Sequence, residues 1–272
     1  MENKIITFLH SGDAGDIIAG LATVKEICEK ENAKAILFLD TTGGTSCNDD
    51  DLNNLVLVQT KGKGLKFNDK VADFIIPVIK IQPYIISVEK WNPSLEIKID
   101  YNLNIFREKF IDIDVIKKTN QNLMFLHQCA VGLDFGYKGP WLSCDDFDNS
   151  EKHKIVIGRS SRCQSAHAFF SIYEDILKKD AEFIGTDFEY ELYNNCFQYY
   201  PKRLDLKDNA LNALRIIKNS EVALFNSTLF YWLAVGIGHN NIIHEIPIDI
   251  PTSYFPNQNP QIRYVIGAEF VI

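Results

Sequence analysis

Three short runs in this 272-residue chain combine glycine, hydroxyl and charge as a catalytic or anion-holding turn would require. The first is Gly12-Asp13-Ala14-Gly15-Asp16, followed by Ile17, Ile18, Leu21, Val24, Ile27 and Cys28 at helical spacing. Glycines admit a ligand close to the backbone, but two carboxylates repel phosphate, and the run lacks both the P-loop lysine and the spacing of GxGxxG. Either Asp13 or Asp16 caps the helix, where a carboxylate gains about 0.3–1 kcal/mol, or one of them projects into a cleft as a general base. The second run is Gly158-Arg159-Ser160-Ser161-Arg162, with His167 a few residues on. Two guanidinium groups and two hydroxyls ahead of a helix suit a diphosphate; the alternative is a solvated loop with a serine cap. The third is Asn226-Ser227-Thr228, between an apolar strand and an apolar helix. An N-cap worth about 1 kcal/mol accounts for one of these residues, and an anion at the helix N-terminus accounts for the set. Gly185-Thr186-Asp187-Phe188-Glu189 adds a ribose or base contact, with Gly185 at the turn and Glu189 as hydroxyl acceptor.

Each run needs a strand before it and a helix after it. Residues 4–9 and 35–39 are β-branched and aromatic and flank the first helix, so the opening unit reads βαβ, the seed of a parallel sheet. Residues 41–70 read as loop around one short strand at 55–59. Residues 74–78, 84–88 and 95–99 read as strands, and 103–116 as a helix whose end is blurred by Ile111-Asp112-Ile113-Asp114. Glycines, Pro140 and Asp145-Asp146-Phe147-Asp148 place a linker over 132–149. Beyond it, strands at 154–157, 181–184, 221–225 and 241–244 alternate with helices near 166–178, 208–218 and 227–235. The fold class is therefore α/β, as two parallel-sheet domains, 1–149 and 150–272. Tyr254, Phe255 and Tyr264 in the tail either cross back to the first domain or pack locally.

With 46% hydrophobic residues and 24% charged, the chain excludes disorder as a global description. A formal net charge of −8 argues against a protein that coats nucleic acid or an anionic membrane. No apolar run reaches the roughly 18–20 residues of a membrane span, because Asn226, Ser227 and Thr228 interrupt the best candidate. The N-terminus does not read as a signal peptide. Six cysteines without a CxxC or Cys/His cluster point to a reducing cytoplasm and no structural metal.

In this order the runs resemble a GT-B glycosyltransferase, most closely the ADP-heptose:lipopolysaccharide heptosyltransferase family (glycosyltransferase family 9). The resemblance lies in His10-Ser11-Gly12-Asp13-Ala14-Gly15-Asp16-Ile17-Ile18-Ala19-Gly20-Leu21, in residues 155–162, in Phe183-Ile184-Gly185 with Glu189, and in residues 223–238 followed by Ile242-Ile243. It implies two Rossmann-like domains facing a cleft and an inverting, metal-independent transfer. No cofactor is implied beyond a nucleotide-diphosphate sugar as co-substrate, and the acceptor would be a glycan, a lipid-linked group or another hydroxyl. Asp16, with Asp13 as the alternative, would be the base. Arg159, Ser160, Arg162, Asn226, Ser227 and Thr228 would hold the donor phosphates, and Gly185 and Glu189 the nucleoside. The chain departs from the family in having Ala22 near the usual proline of the first helix and Asn226-Ser227-Thr228 in place of Asp-Thr-Gly. Competing readings are a non-catalytic GT-B-like nucleotide-binding or assembly protein and a hydrolysing epimerase.

Overall fold

A computed structural model describes residues 4–42, 67–144, 151–160, 180–246, 254–255, 261–266 and 269–271. β1 (Lys4–His10), α1 (Ala14–Lys30) and β2 (Ala33–Leu39) form the expected βαβ unit. The strand expected at 55–59 and the helix at 166–178 lie outside the described residues.

The stretch read as a strand at 74–78 is instead part of α2 (Asp69–Lys80). Asn68 caps it by accepting from Val71 N–H, and Ala72, Ile75, Val78 and Ile79 turn one buried face inward, so helical packing overrides the β-branched composition. β3 (Ile85–Lys90) follows. No strand forms at 95–99; the chain joins the sheet only at β4 (Tyr101–Asn102). The helix expected over 103–116 is divided into a 3-10 helix, Leu103–Ile111, and α3 (Ile113–Thr119). Asp112 makes the break, since its side chain accepts from Asp114 and Val115 N–H and so starts a new helix. α4 (Leu123–Ala130), which the sequence reading missed, packs on α1.

The second half comprises β5 (His153–Gly158), β6 (Ala181–Phe183), α5 (Asp187–Phe197), β7 (Lys202–Arg203), α6 (Ala210–Lys218), β8 (Ser220–Asn226), α7 (Leu229–Gly236), β9 (Ile242–Ile246), β10 (Ile262–Ile266) and β11 (Glu269–Val271). The first sheet runs β3-β2-β1-β4, all parallel. The second runs β11-β10-β9-β8-β5-β6-β7, parallel except for the antiparallel β10–β11 pair at its edge. The architecture is thus two Rossmann-like α/β halves, as the sequence implies.

One hydrophobic core runs through both halves, from Ile17, Ile18 and Leu21 on α1 to Tyr231, Trp232 and Leu233 on α7. The segment expected to be a linker is part of that core where it is described. Trp141 is buried, its indole N–H donates to Ile18 O (2.8 Å), and the N–H groups of Trp141 and Leu142 both donate to Gly236 O (2.9 Å). The tail also crosses back. Asn122 donates to Tyr254 O (2.8 Å), and Phe255 meets Phe125 of the first half and Trp232 of the second edge to face.

Candidate functional site

In open α/β sheets a ligand crevice forms where successive connections leave to opposite sides of one strand. The first sheet has that switch between β1 and β4, and the second between β5 and β8. The runs singled out in the sequence follow β1, β5 and β8, so the folding of each half delivers them to a switch point.

At the first switch, Gly12 is buried, and a Cβ there would lie 2.6 Å from His10 Cε1 and 2.7 Å from Asp16 Cβ, so only glycine fits. Asp13 and Asp16 form a capping box at the start of α1, with Asp16 Oδ2 accepting from Asp13 N–H at 3.2 Å. The capping reading of these carboxylates is therefore realised, and it fixes Asp16 at the mouth of the turn. Behind it, Asn104 Oδ1 accepts from the N–H (2.7 Å) and the hydroxyl (2.9 Å) of Ser11. Arg107 lies over the Phe106 ring and donates to Ser11 O (3.2 Å).

At the second switch, Arg159 is buried and donates through Nε (2.8 Å) and Nη2 (2.6 Å) to the two carboxylate oxygens of Glu245, with its guanidinium 4.6 Å above the Phe197 ring. Its charge is matched inside the protein. Asn226, also buried, accepts from Ser160 N–H and donates to Ser160 O, both at 2.9 Å, so it ties the β5 and β8 loops together. Thr228 caps α7 by accepting from Tyr231 N–H (3.3 Å). The Ser227 hydroxyl is shielded from solvent and has no hydrogen-bond partner among the described residues. Ser161, Arg162 and His167 lie outside the described residues. Further along the sheet, Thr186 and Glu189 form the capping box of α5, with Glu189 accepting from Thr186 N–H (2.9 Å), and Gly185 O accepts from Arg203 (3.3 Å).

The two switch points are brought together. A Cβ at Gly15 would lie 3.2 Å from Trp232 Cδ1 and 3.7 Å from Leu229 N, so the start of α1 abuts the start of α7. A cavity of about 750 Å³ lined by Pro140, Lys218, Glu221 and His239 lies at the opposite, amino-terminal end of β8 and belongs to neither crevice. No cluster of three or more His, Cys, Asp or Glu placed to hold a metal occurs among the described residues, and no helix among them is long and apolar enough to cross a membrane. Sequence reasoning missed Asn104, Arg107, His127 and Glu245. Glu245 alone carried a signal: a carboxylate inside the apolar run of β9 must find a cation.

No protein-family model matches the sequence, and no curated protein does. Solved structures give the fold, which is GT-B. A family 9 glycosyl transferase from Veillonella parvula DSM 2008 superposes with a TM-score of 0.53 at 10% identity, over 97% of this chain and 86% of that one. Escherichia coli ADP-heptose lps heptosyltransferase II gives 0.53 at 9%, over 96% and 90%. The dodecameric, iron-containing heptosyltransferase TibC, solved with ADP-D-beta-D-heptose, gives 0.55 at 10%; this chain matches over 96% of its length and spans 63% of TibC.

Proposed function

We propose that this protein is a cytoplasmic, inverting, metal-independent glycosyltransferase. It would transfer a sugar from a nucleotide-diphosphate donor to a hydroxyl of a glycan or lipid-linked acceptor in cell-surface glycan or lipopolysaccharide synthesis. The observation that carries this reading is the abutment of α1 on α7, which sets a carboxylate turn against a helix N-terminus with both at switch points. The donor diphosphate occupies the crevice between β5 and β8. It is held by Ser160, by Ser227, whose hydroxyl has no partner among the described residues, and by the first N–H groups of α7; Arg162 lies in the same loop in sequence. Arg159 and Asn226 serve as braces of that crevice. Gly185 and Glu189 form the rim on the nucleoside side.

Asp16 takes the acceptor hydroxyl's proton as its oxygen attacks the sugar carbon from the face opposite the diphosphate. The bond to the departing oxygen breaks, and its electron pair leaves with the nucleoside diphosphate. Charge grows on that leaving group, so the N–H groups of α7 stabilise the transition state more than the bound donor.

Asp16→Asn tests the base. Asn retains an oxygen to accept from Asp13 N–H, so the fold should persist and donor binding should stay near wild type, while kcat falls about 10²–10⁴-fold. Undiminished turnover would overturn the assignment. The second reading, a non-catalytic nucleotide-binding protein, is favoured by two facts: Asp16 is engaged in capping and Arg159 is paired internally. A thermal-shift screen of ADP, UDP, GDP, CDP and dTDP sugars, followed by product analysis, separates the two. Binding without product supports the second reading, and binding with product the first.

A further inference from the structure

We infer that His10 and His127 form a neutral, directionally fixed hydrogen-bond chain that holds the Gly12–Asp16 turn in its working position. They are thus positioning residues for the transfer proposed above, on which the kinetic part of this inference rests. His10 Nδ1 lies 2.9 Å from Gly12 N, His10 Nε2 lies 2.9 Å from His127 Nε2, and His127 Nδ1 lies 2.7 Å from Leu123 O. Only one proton assignment satisfies all three contacts. Gly12 N–H can only donate, so His10 Nδ1 accepts and its proton sits on Nε2. Leu123 O can only accept, so His127 carries its proton on Nδ1 and presents a bare Nε2 to His10.

Every donor then faces an acceptor, from the Gly12 amide through both rings to the Leu123 carbonyl. An extra proton on either ring would set N–H against N–H, at Gly12 or between the imidazoles. Both rings are buried, His127 stacks on Phe106 with centroids 4.1 Å apart, and the charged groups beside the pair are the Arg107 guanidinium over Phe106 and the Asp16 carboxylate, which crowds the same Gly12 position as His10 Cε1. Burial, and then the charge of Arg107, disfavours protonation of His127, while Leu123 O opposes them; in His10, burial is joined by His127 and Arg107, and the Asp16 backbone opposes them. Two imidazoles that act as bases or metal ligands would face a crevice. These face each other and the backbone of the turn that carries Asp16.

The test combines a spectroscopic and a kinetic reading on the full chain. Long-range ¹H–¹⁵N correlation spectra should show His10 as the Nε2–H tautomer and His127 as the Nδ1–H tautomer. His10→Leu should speed amide exchange at Gly12 and its neighbours while leaving Asn226 to Thr228 unchanged, and should lower kcat about 100-fold with donor KM unaltered. His10→Asn, whose carbonyl can still accept from Gly12 N–H, should recover about ten-fold of that loss. A general loss of stability would not split the two variants or the two loops in this way. If His10→Leu does not fold, His127→Phe, which keeps the stack on Phe106, takes its place. The opposite tautomers, unchanged Gly12 exchange or wild-type kcat in the leucine variant would each overturn the inference. A wild-type chain that turns over no donor would instead defeat the transferase reading, and the tautomers and Gly12 exchange would still decide whether the pair holds the turn.

Discussion

Each half of the molecule laces its switch point with an asparagine and a serine, Asn104 to Ser11 in the first and Asn226 to Ser160 in the second. Behind that shared lacing the halves differ. The first braces its turn with two uncharged imidazoles, and the second with a buried Arg159–Glu245 ion pair. A neutral chain needs no counter-charge but cannot accept a proton. An ion pair must keep both members, because a single charge left in the interior is far more costly than none. The same task of holding a loop at a strand end is thus exposed to acid in one half and to loss of a partner in the other.

The largest effect should come from breaking the ion pair. Glu245→Ala removes the carboxylate that accepts from both Nε and Nη2 of buried Arg159 and should lower unfolding free energy by about 3–5 kcal/mol in urea titrations. A loss below about 1 kcal/mol would show that Arg159 finds a replacement partner and that the halves differ less than the contrast implies.

Acid should discriminate next. His127 has its pKa lowered by burial from 6.5 to about 4. Between those values the unfolded chain binds the proton and the folded chain does not. The contribution of His127 is therefore complete above 6.5 and lost as pH falls toward about 4. Taken from pH 7.5 to 4.5, the wild type should lose about 2–3 kcal/mol through this residue. His127→Phe should flatten the slope by that amount, and an unchanged slope would place the titration elsewhere.

Smaller effects sharpen the parallel between the lacings. Asn226→Ala removes a buried two-way clamp and should cost about 1–3 kcal/mol, more than Asn104→Ala, whose site is only half-buried. Reversal of that order in paired denaturation curves would mean that the first switch depends on its asparagine more than on its imidazoles. Least of all, Thr228→Ala should cost about 1 kcal/mol and Thr228→Ser should restore most of it, as expected of an N-cap.

Much of the second half was legible because β5, β6, β8 and β9 are short, largely apolar runs closed by turns, whereas β7, which is only Lys202–Arg203, together with β10, β11 and α5, escaped the reading. The interruption at Asn226-Ser227-Thr228 marked both the end of β8 and the cap of α7. Residues 74–78 misled because Phe, Ile and Val suit a strand as well as a buried helical face, and only packing decides between them. The site was legible as loops but not as partnerships. Arg159 looked like a free cation, and its partner lies 86 positions away on another strand. His10 meets His127 across 117 positions. Periodicity is local, and no local pattern encodes which distant side chain closes a hydrogen bond.

Because Gly15 meets the Trp232 ring and then the Leu229 main chain with no side chain of its own between them, the distance between the Asp13–Asp16 turn and the start of α7 is set like a caliper locked when the core closes. A methyl group at position 15 would have to shift Trp232 by a few tenths of an ångström. The approach of the two helix starts is thus regulated through one indole ring, and a side chain at position 15 would act on it from inside the protein before it pressed on the Leu229 main chain.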